Sequence, residues 1–194
     1  SLLAGVSAPA LVNESVSAAP VGAVSGDVLI SEFRTTGPGG ASDEFVELYN
    51  PKNLPADISG LLIRGSNSSA SVGTRYTIPA STFLQPGQYY LIVGSSYSGG
   101  TAGEPGAILS TSTTDDGGFA ITLSNGTTII DQVGMSSGSA YKEGTTLTPL
   151  SGSANQSYER KNIGCTDTDD NSADFVWNQT SSNPQNSSSI PISC

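Results

Sequence analysis

The chain has 194 residues and a net charge of −10, and its sequence pI is about 4.1. An acidic surface repels phosphate backbones and anionic lipid head groups, which argues against nucleic acid as a partner. The sequence has no histidine, the usual neutral-pH proton shuttle and commonest zinc ligand, and no run of the ~18 apolar residues that a membrane helix needs. We therefore expect no membrane insertion.

Short runs rich in Val, Ile, Thr and Tyr, separated by 23 glycines and 11 prolines, are typical of an all-β protein. No window keeps a helical period for long. The length suits one domain plus an arm, so we predict an antiparallel sandwich or barrel at 26–194 and an arm at 1–25.

The arm alternates in polarity, as a half-buried strand does. Apolar residues of one parity are Leu2, Ala4, Val6, Ala8, Ala10, Val12 and Val16. Eighteen extended residues span roughly 60 Å, whereas the remaining domain is about 40 Å across. One hypothesis is that the arm adds as a strand to a neighbouring copy of the protein. The alternatives are an edge strand folded back on its own sheet and a flexible tether.

Strands are predicted where apolar or alternating runs lie between turn residues. These runs are residues 27–34, 43–50, 57–64, 76–79, 88–93, 107–110 and 155–161. In the second run Phe45, Glu47 and Tyr49 share one face, and Val46 and Leu48 share the other. The run at 88–93 is nearly all apolar and predicts a central strand. Pro86-Gly87 before it suits a type II turn.

A hairpin is predicted at Gly118–Gly134, where two apolar runs flank Asn125-Gly126. Asn-Gly favours a type I′ turn, which needs positive φ at both central residues. We place this hairpin in the middle of the domain.

These runs resemble the lamin tail domain, an immunoglobulin-like β-sandwich, over about residues 27–186. The matching motifs are VLISEFR at Val28–Arg34, EFVELYNP at Glu44–Pro51, DISGLLI at Asp57–Ile63, LQPGQYYLIVG at Leu84–Gly94, ITLSNGTTIIDQV at Ile121–Val133, SYERK at Ser157–Lys161 and DTDDNSADF at Asp167–Phe175. The resemblance implies an immunoglobulin-like sandwich that serves as an attachment or scaffolding module. A coiled-coil rod is missing from this sequence, so a nuclear role is not implied.

Cys165 and Cys194 are the two cysteines of a chain that is rich in Ser, Thr and Asn and poor in Lys. This usage predicts a disulfide and an oxidising, extracellular location. Two unrelated thiols are the alternative.

The acidic segment at residues 167–174 places oxygen ligands at alternate positions, as calcium loops do. The candidate calcium ligands are Asp167, Asp169, Asn171 and Asp174. The segment departs from an EF-hand because Ser172 stands at the glycine position and Asn178 at the final glutamate position. The alternative is a turn in which Asp side chains cap local amides.

Asn-x-Ser/Thr sequons favour a glycosylated surface protein. They occur at Asn13, Asn67, Asn125, Asn155, Asn178 and Asn186. Four tyrosines, Tyr89, Tyr90, Tyr97 and Tyr141, could stack on a sugar, but strand packing is the expected role of most of them.

No catalytic residues are predicted. Asp43, Glu44 and Glu47 offer paired carboxylates, yet acidic residues are simply the surface charge of this chain, and G-x-S-x-G and phosphate-binding loops are missing. The sequence therefore predicts a non-catalytic, secreted structural protein whose partners are copies of itself. The alternative is a monomeric secreted module, calcium-assisted, that binds a surface glycan or protein.

Overall fold

The structure is a computed structural model that describes residues 27–194. Its elements are β1 (Leu29–Arg34), β2 (Phe45–Tyr49), β3 (Ala56–Asp57), β4 (Leu62–Ser66), β5 (Val72–Thr77), β6 (Phe83–Leu84), β7 (Tyr89–Val93), β8 (Gly118–Thr122), β9 (Ile129–Gly134), β10 (Ser157–Arg160), α1 (Asn171–Asp174) and β11 (Phe175–Asn178). The predicted arm, with all seven of its self-association residues and the Asn13 sequon, lies outside the described residues.

Two antiparallel sheets pack around one core. The five-stranded sheet has the order β11-β10-β1-β2-β7, and the four-stranded sheet has the order β5-β4-β8-β9. A further pair, β3-β6, is separate. The predicted all-β, immunoglobulin-like sandwich is confirmed.

The core lies where the inner faces of the two sheets meet. Phe33 of β1 is its centre, with ring centroids 6.0 Å from Phe119, 5.8 Å from Tyr158 and 5.7 Å from Phe175. Val46 and Leu48 also belong to this core, as the alternation of β2 predicts. Burying each large apolar side chain stabilises the fold by about 1.5–3 kcal/mol.

The predicted hairpin is present as β8 and β9, which pair from Gly118↔Gly134 to Thr122↔Ile129. The predicted type I′ turn is wrong, because it needs positive φ at both Asn125 and Gly126, and of these two residues only Gly126 has it (70°). The Leu123 carbonyl accepts a 2.8 Å bond from the Gly126 N–H. Asn125 stabilises this longer loop, because its side-chain oxygen accepts the N–H groups of Thr127 and Thr128.

The run at 88–93 forms β7, but it is an edge strand rather than a central one. The strand is apolar because its side chains are buried on both faces of the sheet. The following loop protects that edge, since the Val93 N–H donates to Ala107 and the Leu109 N–H donates to Val93. The predicted strand at 107–110 is accordingly reduced to a single parallel bridge, Val93↔Ile108.

Candidate functional sites

Three glutamates lie side by side on the outer face of the five-stranded sheet. Glu32 of β1 is directly opposite Glu47 of β2 on one side and Glu159 of β10 on the other. Glu32 and Glu47 are each only 1% exposed. We call these three residues the glutamate row. Like charges placed opposite each other normally destabilise a sheet, so the surroundings of the row need an explanation.

The C-terminal residues 179–194, which we call the strap, cross this outer face. The strap is held through alternate backbone N–H groups that donate to carboxylates. Asn183 donates to Glu32 at 3.1 Å, Gln185 donates to Glu47, and Ser187 donates to Glu104 at 2.6 Å. Buried N–H groups must find acceptors, and here glutamates provide them in place of strand pairing.

The end of the strap is fixed covalently. Cys165 and Cys194 form the predicted disulfide, with their Cα atoms 5.7 Å apart. Tyr49 donates its hydroxyl to the Ile192 carbonyl at 2.6 Å, and the Ile192 N–H donates to Gly87 at 3.0 Å. Gly87 is the αL residue of the predicted Pro-Gly turn, and a Cβ there would lie 2.5 Å from the Ile192 oxygen.

Burial disfavours the charged form of every member of the glutamate row. It raises the pKa of Glu32 from 4.5 to about 7 and that of Glu47 well above its usual range, and it also raises the pKa of Glu159. Ion pairs within residues 27–194 all involve Arg34 or Arg160, and neither arginine pairs with a member of the row.

A cavity of about 210 Å³ lies between the row and the strap. Ser31, Glu47, Tyr89 and Glu159 line its sheet side, and the strap and the 163–164 turn close the other side. The Tyr89 side chain is buried, yet its hydroxyl has no hydrogen-bond partner among residues 27–194. Such an orphan polar group is rare in a folded protein and indicates a missing partner.

A second hollow of about 380 Å³ lies beside Glu44, which is fully buried. One Glu44 oxygen accepts the Thr113 N–H at 2.7 Å, and the other has no partner. Burial raises the pKa of Glu44 to about 8. The hollow is also lined by five hydroxyl side chains, Ser42, Ser95, Ser110, Thr111 and Ser112.

The candidate calcium residues do not converge on one point. Asp167 pairs with Arg160 at 3.1 Å, and Asp174 accepts from Thr168 and lies 3.6 Å from Arg160. The Asn171 side-chain oxygen accepts from the N–H groups of Gly134 and Glu143. Asp169 lies in a turn with φ 57°. The capping role belongs to Asp170, which accepts from the first amides of α1.

Asp167 instead joins Asp131 and Glu143, and one carboxylate oxygen from each of the three lies within 4.8 Å of the other two. Asp131 is also bonded twice to Arg160, at 2.9 and 3.0 Å. This buried pair joins β9 to β10 and therefore ties the two sheets together. Burial, and the neighbouring Asp131 and Asp167 charges, raise the pKa of Glu143 to about 8.

The five sequons within residues 27–194 all reach the surface. Asn125 and Asn155 are exposed, and Asn67, Asn178 and Asn186 are half-buried. Among the four tyrosines considered for sugar stacking, Tyr89, Tyr90 and Tyr141 are buried and expose no ring face to a sugar.

In the part of the chain that the structure describes, one sheet edge is both uncovered and apolar. β11 ends the five-stranded sheet, and its only strand partner in residues 27–194 is β10. Val176 and Trp177 on it are 49% and 44% exposed. Uncovered apolar edge strands favour pairing with another chain. The edge strand β5 of the other sheet carries one comparable residue, Val72, at 46% exposure.

Two antiparallel sheets packed face to face place the domain in the class of immunoglobulin-like β-sandwiches. The sequence profile of the lamin tail domain family matches residues 22–137, so the chain belongs to that family, whose domains are non-enzymatic. No curated protein and no solved structure matches significantly. The only helix described, α1, is four residues long, far short of a membrane span.

Sequence reasoning missed the glutamate row, the strap and the unpaired Tyr89 hydroxyl. A signal existed in the DEFVELYN run, where Glu47 shares a face with two aromatic residues. An acidic residue between aromatic ones on one strand face indicates a covered surface rather than a solvated one.

Proposed function

We propose that this protein is a non-catalytic, extracellular structural subunit that joins copies of itself into a filament or surface assembly. The N-terminal arm of one copy adds as a strand to a neighbour. The single observation that supports this most is the unprotected apolar edge of β11, where Val176 and Trp177 are exposed. Strand addition needs such an edge, and the alternating arm has the polarity pattern of the missing strand.

The extracellular location is supported by the disulfide and by the sequons. A disulfide that fixes the end of the chain persists in oxidising compartments. None of the five described sequon asparagines is fully buried, so each can accept a glycan. Intact mass of the protein from its native source tests the glycans directly.

The assembly test compares the full chain with a chain that starts at Gly26. Negative-stain microscopy should show filaments or sheets for the full chain and single particles for the truncated one. A synthetic peptide of residues 1–18, added to the truncated protein, should bind. Identical assemblies from the truncated chain would contradict the proposal.

The place of addition has its own readout, because Trp177 is the only tryptophan in the chain. Binding of the arm peptide along β11 should bury the indole and shift its emission to shorter wavelength. Val176→Lys should abolish this shift, and Val72→Lys, at a matched exposure on β5, should not. Binding of the peptide without an indole shift, lost in Val72→Lys and kept in Val176→Lys, would move the acceptor to β5.

A second candidate function is a monomeric binding module, favoured by the hydroxyl-lined hollow beside Glu44. Its ligand would be a surface glycan or protein. Calcium would assist through Asp167 and its neighbours Asp131 and Glu143. A full chain that remains monomeric in size-exclusion chromatography, and that loses thermal stability with a chelator, would favour this candidate. A melting temperature that the chelator leaves unchanged would exclude a role for calcium.

A further inference from the structure

The cavity under the strap combines three unusual features: carboxyl groups that form no ion pair within residues 27–194, empty volume and an orphan hydroxyl. Glu47 and Glu159 face the cavity, and Glu32 lies between them on the sheet. Tyr89 lines the same space, and its buried hydroxyl has no hydrogen-bond partner within residues 27–194. Water would fill the volume and satisfy the hydroxyl, but water brings no positive charge to the carboxylates.

The outer part of the cavity wall is mixed. Ile163 and Ile192 line it and are 51% and 41% exposed, beside the polar strap residues Asn183 and Gln185, while Glu47 and Tyr89 are each 1% exposed. A ligand with a cationic head and an aliphatic stem would place its head at the buried carboxyl groups and its stem against the two isoleucines. A primary ammonium group donates three hydrogen bonds, and Glu47, Glu159 and Tyr89 supply three acceptors.

A bare metal ion fits less well. Within residues 27–194, the carboxylates close enough to share an ion are Asp131, Glu143 and Asp167, which are elsewhere in the fold. A volume of about 210 Å³ also exceeds what an ion with direct protein ligands requires.

We propose that the cavity binds a primary alkylammonium group through Glu47, Glu159 and the Tyr89 hydroxyl. The ligand is either a free aliphatic amine or the lysine side chain of a polypeptide. This site does not depend on the N-terminal arm, and it gives the strap a function beyond covering the sheet.

The test titrates the full, oxidised chain with n-butylammonium chloride at mildly alkaline pH and follows the backbone amides of Asn183 and Gln185 by NMR. Tetramethylammonium has the same charge but no N–H group, so it serves as the ligand control. A lysine blocked at both ends tests the polypeptide source. We expect saturable shifts with butylammonium and blocked lysine and none with tetramethylammonium. Tighter binding of blocked lysine would identify a polypeptide ligand, and equal binding a free amine.

Tyr89→Phe removes only a hydroxyl that has no partner, so this variant should fold and bind butylammonium about fivefold to tenfold more weakly. Glu159→Gln should weaken binding about tenfold. Tyr90→Phe is the matched control, since the adjacent Tyr90 hydroxyl bonds Tyr76 in the core, and its affinity should match the native protein.

Equal shifts with tetramethylammonium, no shift with butylammonium, or native affinity in Tyr89→Phe would overturn the proposal. Calcium chloride that shifts the same two amides while butylammonium does not would reassign the cavity to a metal. If Glu159→Gln does not fold, the Tyr89→Phe and Tyr90→Phe pair still decides.

Discussion

The two faces of the five-stranded sheet are both buried, but by different chemistry. On the inner face, Val46 and Leu48 pack against the other sheet in an apolar core. On the outer face, Glu47 and Tyr49 of the same strand contact the strap through hydrogen bonds and beside a disulfide. Apolar packing is insensitive to pH and redox state, whereas the outer face depends on both. The strand β2 is therefore stabilised by apolar packing on one face and by hydrogen bonds to the strap on the other.

The largest effect should come from the inner face. Phe33→Ala removes the ring that contacts three other aromatic rings and should cost about 3–5 kcal/mol of unfolding free energy. Urea denaturation measures this loss, which should be equal at pH values on either side of neutrality. A loss that changes strongly with pH would mean that the inner face is coupled to the glutamate row.

Removal of the disulfide should come next and should act on the outer face. The double variant Cys165→Ser/Cys194→Ser opens a loop of 29 residues, which in the chain-entropy model costs roughly 3–4 kcal/mol. Native-state hydrogen exchange should show lost protection at Gln185 and Ser187 and retained protection in β8. Uniform loss across both sheets would contradict the separation of the two faces.

The pH dependence of stability should separate the faces more sharply. Glu32 binds its proton more tightly when folded, because burial raises its pKa from 4.5 to about 7. Its stabilising contribution is complete below about pH 4.5 and is lost as the pH rises through 7, at no more than ~1.4 kcal/mol per pH unit. Thermal unfolding of Glu32→Gln should lack this part of the slope.

Glu44→Gln is the matched control for that experiment, since Glu44 has a raised pKa of about 8 but lies outside the row. This variant should also remove part of the decrease in stability with rising pH, and that part should extend to about pH 8 instead of 7. If both variants keep the full native slope, the burial of these carboxyl groups does not control stability. Asp43 works in the opposite direction, because its pKa is lowered and its contribution is lost only in stronger acid.

The smallest effect concerns two tyrosines on the outer face, Tyr49 and Tyr89, whose tilted rings have centroids 5.0 Å apart. Tyr49→Phe removes a hydrogen bond to the strap and should cost about 1 kcal/mol. Tyr89→Phe removes an unpaired hydroxyl and should leave stability unchanged or slightly increased. Chemical denaturation of both variants checks this, and equal losses would indicate a hidden partner for Tyr89.

The local patterns predicted six of the strands, β1, β2, β7, β8, β9 and β10. The predicted strands at 57–64 and 76–79 overlap β4 and β5 only in part, and β6 and β11 were not predicted. Alternation placed Val46 and Leu48 on the core side of β2, and Pro86-Gly87 and Asn125-Gly126 marked real turns. The errors arose where contacts with distant segments of the chain determine the position of a strand in its sheet. The run at 88–93 appeared central because it is apolar on both faces, yet it forms an edge strand that a later loop covers.

Alternation, turn residues, the family motifs and the count of two cysteines were enough to predict the all-β sandwich, the strands β1, β2, β7, β8, β9 and β10, the family and the disulfide pair. Only the tertiary structure revealed the glutamate row, since Glu32, Glu47 and Glu159 are up to 127 positions apart and become neighbours through strand register. The strap was equally invisible in the sequence, because its polar residues resemble a tail. Carboxylates that accept its backbone N–H groups hold it in place, and such contacts leave no periodic pattern in the chain.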